Sequence, residues 1–87
     1  MYSDVPVYRQ LADVLRQQIV SGKIPPLSPL PSGKTLVETY GVARGTVEKA
    51  VRVLQAEGLV RTVPGRGIYV VPEGERSLGA AGGGGGA

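Results

Sequence analysis

Two glycines, Gly41 and Gly58, bracket the most restrictive pattern in this chain. Between them Val47, Ala50, Val51 and Leu54 recur at i, i+3, i+4 and i+7, which places four apolar side chains on one face of a helix. Before Gly41, Ser32 offers an N-cap, and Leu36, Val37 and Tyr40 make a second, shorter apolar face. The spacing predicts helices over about 33–40 and 44–57, separated only by Gly41-Val42-Ala43. Two short helices joined by so short a glycine-containing turn form the outline of a helix-turn-helix, whose second helix can enter a DNA major groove.

The flanking segments extend this outline. In PVYRQLADVLRQQIVSG, the residues Tyr8, Leu11, Ala12, Leu15 and Ile19 make one apolar stripe, with Arg9, Asp13, Arg16 and Gln17 opposite. Pro6 suits a first helical turn and Gly22 a helix end, so a helix is predicted over about 6–21. KIPPLSPLP, residues 23–31, holds four prolines and favours a stiff, extended connector, with parts of Ile24, Leu27 and Leu30 against the core. LVRTV and IYVV are β-rich runs on either side of PGRG, and Pro64-Gly65 fits the centre of a type II turn, which predicts a hairpin over 59–71. The expected fold class is α+β, mainly α: a winged helix-turn-helix of three helices followed by a two-stranded β-hairpin wing.

Length and composition narrow the chemistry. The 87 residues support one small domain, expected over 1–72, with 73–87 read as a flexible Gly/Ala-rich linker or tail. With no cysteine and no histidine, the chain lacks disulfides, thiolate metal sites and the commonest general base, so neither an enzyme nor a cofactor or metal site is expected. SGKT at 32–35 resembles the end of a phosphate-binding loop. Position 28, however, is Ser where that loop needs Gly, and prolines precede it where a strand is required. No apolar run reaches the roughly 20 residues of a membrane span, and the first ten residues do not read as a signal peptide; a cytoplasmic location is expected, without a membrane partner.

The net charge of +3 is mild, yet between Lys34 and Arg66 six basic residues stand against three acids. An anionic partner would meet the middle of the chain. If the third helix buries Val47, Ala50, Val51 and Leu54, it presents Arg44, Gly45, Glu48, Lys49 and Arg52 on the other side. Arg44 lies at the start of that helix, where free backbone N–H groups favour phosphate, and its planar fork matches either phosphate or the O6 and N7 of guanine. Gly45 and Thr46 are slender enough to let a helix end approach DNA closely, and the Thr46 hydroxyl suits phosphate. Lys49 and Arg52, further along, suit phosphates; for Arg44 and Lys49 the alternative is a solvated helix face. Glu48 has two readings, acceptance from cytosine N4 or an ion pair with Arg44 or Arg52 within the helix. Arg66, between Gly65 and Gly67 at the wing tip, can reach a minor groove. Tyr8 and Tyr40, on apolar stripes, are expected in the core, and Tyr69 in the core or at its edge.

The run from PVYRQLADVLRQQIVSGKI through LPSGKTLVETYGVARGTVEKAVRVLQAEGLV to GRGIYV resembles the N-terminal DNA-binding domain of GntR-family bacterial transcription regulators over about residues 6–71. The resemblance implies sequence-specific binding of duplex DNA, with the helix over about 44–57 in the major groove and the wing tip at the minor groove. It also implies a repressor role, a homodimer on a palindromic operator, and an effector-binding domain that is missing here or separate. Lys34 matches a DNA-contacting arginine of the family and is expected to grip the backbone. Three positions depart from the family pattern: Gly33 where Glu is usual, leaving an incomplete capping box; Ala43 where Ser or Thr is usual; and Glu48 where Arg is frequent. A winged helix that binds protein instead would carry an apolar outer face on its third helix, and this one is charged.

Overall fold

The computed structural model describes residues 4–76, in the order α1 (Val7–Val20), α2 (Gly33–Tyr40), α3 (Arg44–Ala56), β1 (Val60–Val63) and β2 (Gly67–Val70). The architecture is a winged helix. Observed boundaries lie within one residue of those expected for all three helices. Pro6 is the N-cap of α1 rather than its first residue, and Glu57 is the C-cap of α3.

Each helix end has a local cause. Ser32 caps α2 by accepting a hydrogen bond from the Thr35 amide at 3.1 Å, and the two hydroxyls are 3.0 Å apart. The cap therefore works through Thr35. Gly33 occupies the first helical position, and among the described residues no side chain returns a bond to the Ser32 amide, so this is one half of a capping box. Gly41 ends α2 at φ 65°, and its amide returns to the Val37 carbonyl at 2.8 Å. That left-handed residue reverses the chain into α3 with two residues to spare, which is what keeps α2 and α3 at the short separation of a helix-turn-helix.

The core is contributed by every element. Leu11, Ala12, Leu15 and Ile19 of α1 meet Leu36 of α2, Val47, Ala50, Val51 and Leu54 of α3, and Val60 and Val70 of the strands, with Leu30 and Leu59 closing the edges. Tyr40 packs partly against this cluster as expected. Tyr8 does not: it is half-buried beside Lys49, outside the core. Near the starts of α1 and α3, Tyr8 meets Lys49; near their ends, Arg16 donates to Glu57 at 2.8 and 2.7 Å. The two helices thus run side by side in the same general direction.

The wing is an antiparallel hairpin with Val60 opposite Val70 and Arg61 opposite Tyr69. Pro64 and Gly65 form its turn, closed by the Arg66 amide donating to the Val63 carbonyl at 2.9 Å with Gly65 at φ 76°, as a type II turn requires. The proline-rich connector does more than span a gap. Leu27 and Leu30 donate to the carbonyls of Val70 and Ile68, and the Val70 amide donates back to Ser28, so the connector pairs along the outer edge of β2. Leu30 is buried and Ile24 lies against the core. Leu27 departs from expectation: it is 66% exposed with φ 67°, because this pairing turns its side chain outward.

Past β2, residues 73–76 form one helical turn in which the amides of Glu75 and Arg76 donate to the Pro72 carbonyl. The expected flexible tail therefore begins with an ordered turn, and the rest of it, 77–87, lies outside the described residues.

Candidate nucleic-acid interface

No polar or charged side chain is buried among the described residues, so every charged group of the described domain is open to solvent or at its edge. The arc of α3 opposite the core carries Arg44, Gly45, Glu48, Lys49 and Arg52, all exposed, with Thr46 half-buried at its margin. Helical geometry at 100° per residue puts Gly45 and Arg52 in the middle of that arc, Arg44 and Glu48 on one flank and Lys49 on the other.

The start of α3 is open. Ala43 supplies no side-chain acceptor, and the first α3 amides to bond back to its carbonyl are those of Thr46 and Val47. The N–H groups of Arg44 and Gly45 precede any intrahelical partner and face outward beside the positive end of the helix dipole. An added Cβ at Gly45 would meet nothing within 4 Å, so the fold itself does not demand glycine there.

On the Arg44 flank a cleft of about 260 Å³ opens between the first turn of α2, α3 and β2. Its floor is apolar, from Leu30, Leu36, Val47, Val51 and Ile68, and Arg44, Glu48, Arg52 and Gln55 form its rim. Arg44 Nε stands 3.8 Å from Glu48 Oε2. That is an ion pair in water rather than a hydrogen bond, and both side chains are exposed where a ligand could meet them. The reading of Glu48 as an intrahelical partner of Arg44 agrees with this contact. Lys34 is exposed on the first turn of α2, near Gly33, which lines the same cleft.

Lys49 differs from the other cations. Its Nζ lies 5.7 Å from the centroid of the Tyr8 ring, a cation–π contact that tilts it toward α1. Arg66 is exposed at the wing tip with Gly65 beside it. The fold also places Arg61, absent from the sequence-derived site, on the outer wing face with Arg66 and Tyr69. Alternation along LVRTV already put Arg61 opposite to Val60; only the pairing with Tyr69 brought it into line with the tip. Gln55, the other residue that the sequence reading left out, donates to the Thr62 hydroxyl at 2.8 Å and ties α3 to β1.

The family profile described as bacterial regulatory proteins, gntR family, matches residues 7–70. The chain belongs to the GntR family. Its relatives include the transcriptional repressor NagR of Bacillus subtilis, 39% identical over 77 residues that make up 87% of this chain and 32% of NagR. They also include the mannosyl-D-glycerate transport/metabolism system repressor MngR of Escherichia coli, 40% identical over 78% of this chain and 28% of MngR. The chain thus spans about a third of the length of these GntR-family relatives. Among solved structures, the DNA-binding domain of AraR in complex with operator ORR3 superposes with a TM-score of 0.73 at 34% identity, covering 77% of this chain and 81% of that one. The winged-helix GntR fold inferred from the residues is therefore the fold of its relatives. No helix among the described residues is long and apolar enough to cross a membrane.

Proposed function

We propose that this chain is the duplex-DNA-binding domain of a bacterial transcription regulator that acts as a repressor. The observation that carries the reading is the uncovered basic arc of α3, with Arg44 and two unpartnered backbone amides at an uncapped helix start. A double helix offers a groove wide enough for α3, phosphates for the helix start, and an adjacent minor groove for the wing. The relatives NagR and MngR are named repressors, and the AraR domain is described with operator DNA, which supports the same assignment here.

In this reading α3 lies in the major groove. Arg44 contacts guanine or phosphate, Gly45 and Thr46 let the helix end close in, and Lys34 and Arg52 hold phosphates. Lys49 does so after leaving the Tyr8 ring. Gly65 and Arg66 carry the wing tip to the minor groove. A two-fold pair of domains on a palindromic operator follows from the symmetry of dimeric regulators. An effector-binding and dimerising part would lie outside this sequence, which matches about a third of the length of NagR and MngR. We read the protein as a cytoplasmic binding module, neither catalytic nor cofactor-dependent.

Duplex binding measured across salt tests the assignment. Affinity should fall steeply as salt rises. Arg44→Ala should weaken operator binding by about 1–3 kcal/mol, whereas Lys34→Ala should weaken all duplexes alike and lower the salt slope by about one. Operator affinity unchanged by Arg44→Ala would show that α3 is not the reading element.

A further inference from the structure

A carboxylate among the cations on the exposed arc of α3 needs a reason. Glu48 stands between Arg44 four residues before it and Arg52 four residues after it, on the rim of the cleft beside α3. Its side chain is 61% exposed, and among the described residues it accepts no hydrogen bond; the contact with Arg44 Nε is 3.8 Å, beyond hydrogen-bonding length. Pairing with Arg44 alone is a weak reward for placing a negative charge against phosphates, because both partners are solvated and screened. Its lone pairs are free for a donor, and in a major groove the available donors are exocyclic amino groups.

We infer that Glu48 sets the base preference of the domain, its carboxylate accepting from the N4 amino group of a cytosine while Arg44 beside it donates to guanine in the same or the next base pair. The inference rests on the DNA-binding reading above. Across its major-groove edge a G·C pair shows two acceptors on guanine and then one donor on cytosine. Arg44 and Glu48 offer donors and then an acceptor, in matching order. Adenine also has an amino donor, but its N7 lone pair lies beside it and would face the second carboxylate oxygen. Thymine presents O4, an acceptor, and repels the carboxylate outright. Glu48 therefore acts by attraction to one base and by rejection of the others and of bare phosphates.

Selection of bound duplexes from a random pool, run in parallel with wild type and Glu48→Gln, tests this. The exposed position and the neutral isostere leave the fold intact, which a thermal melt verifies. Wild type should fix one cytosine per half-site, and replacing it by thymine should weaken binding by roughly 5- to 100-fold. Glu48→Gln should lose that cytosine, shift toward adenine, whose N6 and N7 suit an amide, and hold random duplex more tightly than wild type. The same selected sequence from both proteins, with the same thymine penalty, would overturn the inference while leaving DNA binding in place. A wild type that retains no duplex at all would overturn the DNA-binding reading beneath it.

Discussion

Gly45 is a glycine that the fold itself does not require. It sits in the first turn of α3 with a helical backbone and open space where a Cβ would go. Glycine there costs the folded domain conformational entropy with no packing return, about 0.5–1 kcal/mol relative to alanine. Gly45→Ala is expected to raise Tm by roughly 2–8 °C and to lower duplex affinity, read by calorimetry and by titration with a selected duplex. Higher stability with undiminished affinity would mean that no surface approaches Gly45 closely. Leu27 is the converse case, a bulky residue at φ 67° with its side chain in solvent. The left-handed backbone strains any residue with a Cβ by about 1–2 kcal/mol, and glycine gives back part of that gain through its freer unfolded chain. Leu27→Gly should therefore stabilise the domain by about 0.5–1 kcal/mol in a denaturant titration, and a loss of stability would show that the exposed side chain contributes packing after all.

Between elements, the strongest polar connection is the one that joins α1 to the end of α3. Arg16 meets both Glu57 carboxylate oxygens in a forked pair and also Asp13 on its own helix. The hydrogen bonds to Glu57 and then to Asp13 raise the Arg16 pKa above its already high ordinary value. A group whose folded pKa is raised contributes its stability fully below the unfolded pKa and loses it only as pH passes above. For an arginine that window begins beyond about pH 12, so alkaline titration to pH 10 should leave the brace intact. Arg16→Ala is expected to cost about 1 kcal/mol, since the pair is partly solvated, and to do so equally at pH 7 and pH 9 in thermal melts. A cost that vanished at pH 9 would point to a different titrating partner. The brace holds α3 by its far end, leaving its N-terminal turn clear.

At the scale of the whole molecule, the described domain has most of its apolar side chains gathered in one core, with Val5, Val7, Val14, Val20 and Leu27 as exposed exceptions before and along α1 and in the connector. Val7 and Val14 share one shallow cavity with Leu11, Tyr40 and Val42, while the others stand apart, and so few side chains fall short of the interface that stable dimers use. The chain should sediment as a monomer without DNA and as a symmetric pair on a palindromic duplex. A stable dimer in the absence of DNA would contradict this and would direct attention to the exposed valines of α1.

The local elements and the identity of the buried faces were legible in the residues themselves. Periodicity, the Ser32 cap, the left-handed Gly41 and the Pro64-Gly65 turn all act within a few positions along the chain, so spacing alone placed three helices, a hairpin and the charged arc of α3. Contacts between distant residues were not legible, because periodicity states which side of a helix is apolar and is silent on the neighbour that each remaining side chain will meet. The approach of α1 to α3 drew Lys49 onto the Tyr8 ring and Arg16 onto a glutamate 41 residues away. Pairing of the connector with β2 turned Leu27 into solvent, and pairing of β1 with β2 aligned Arg61 with the wing tip. The sequence by itself determined a basic helix on a winged-helix frame; tertiary packing decided which of its cations stand free, since that depends on the surfaces that folding brings alongside.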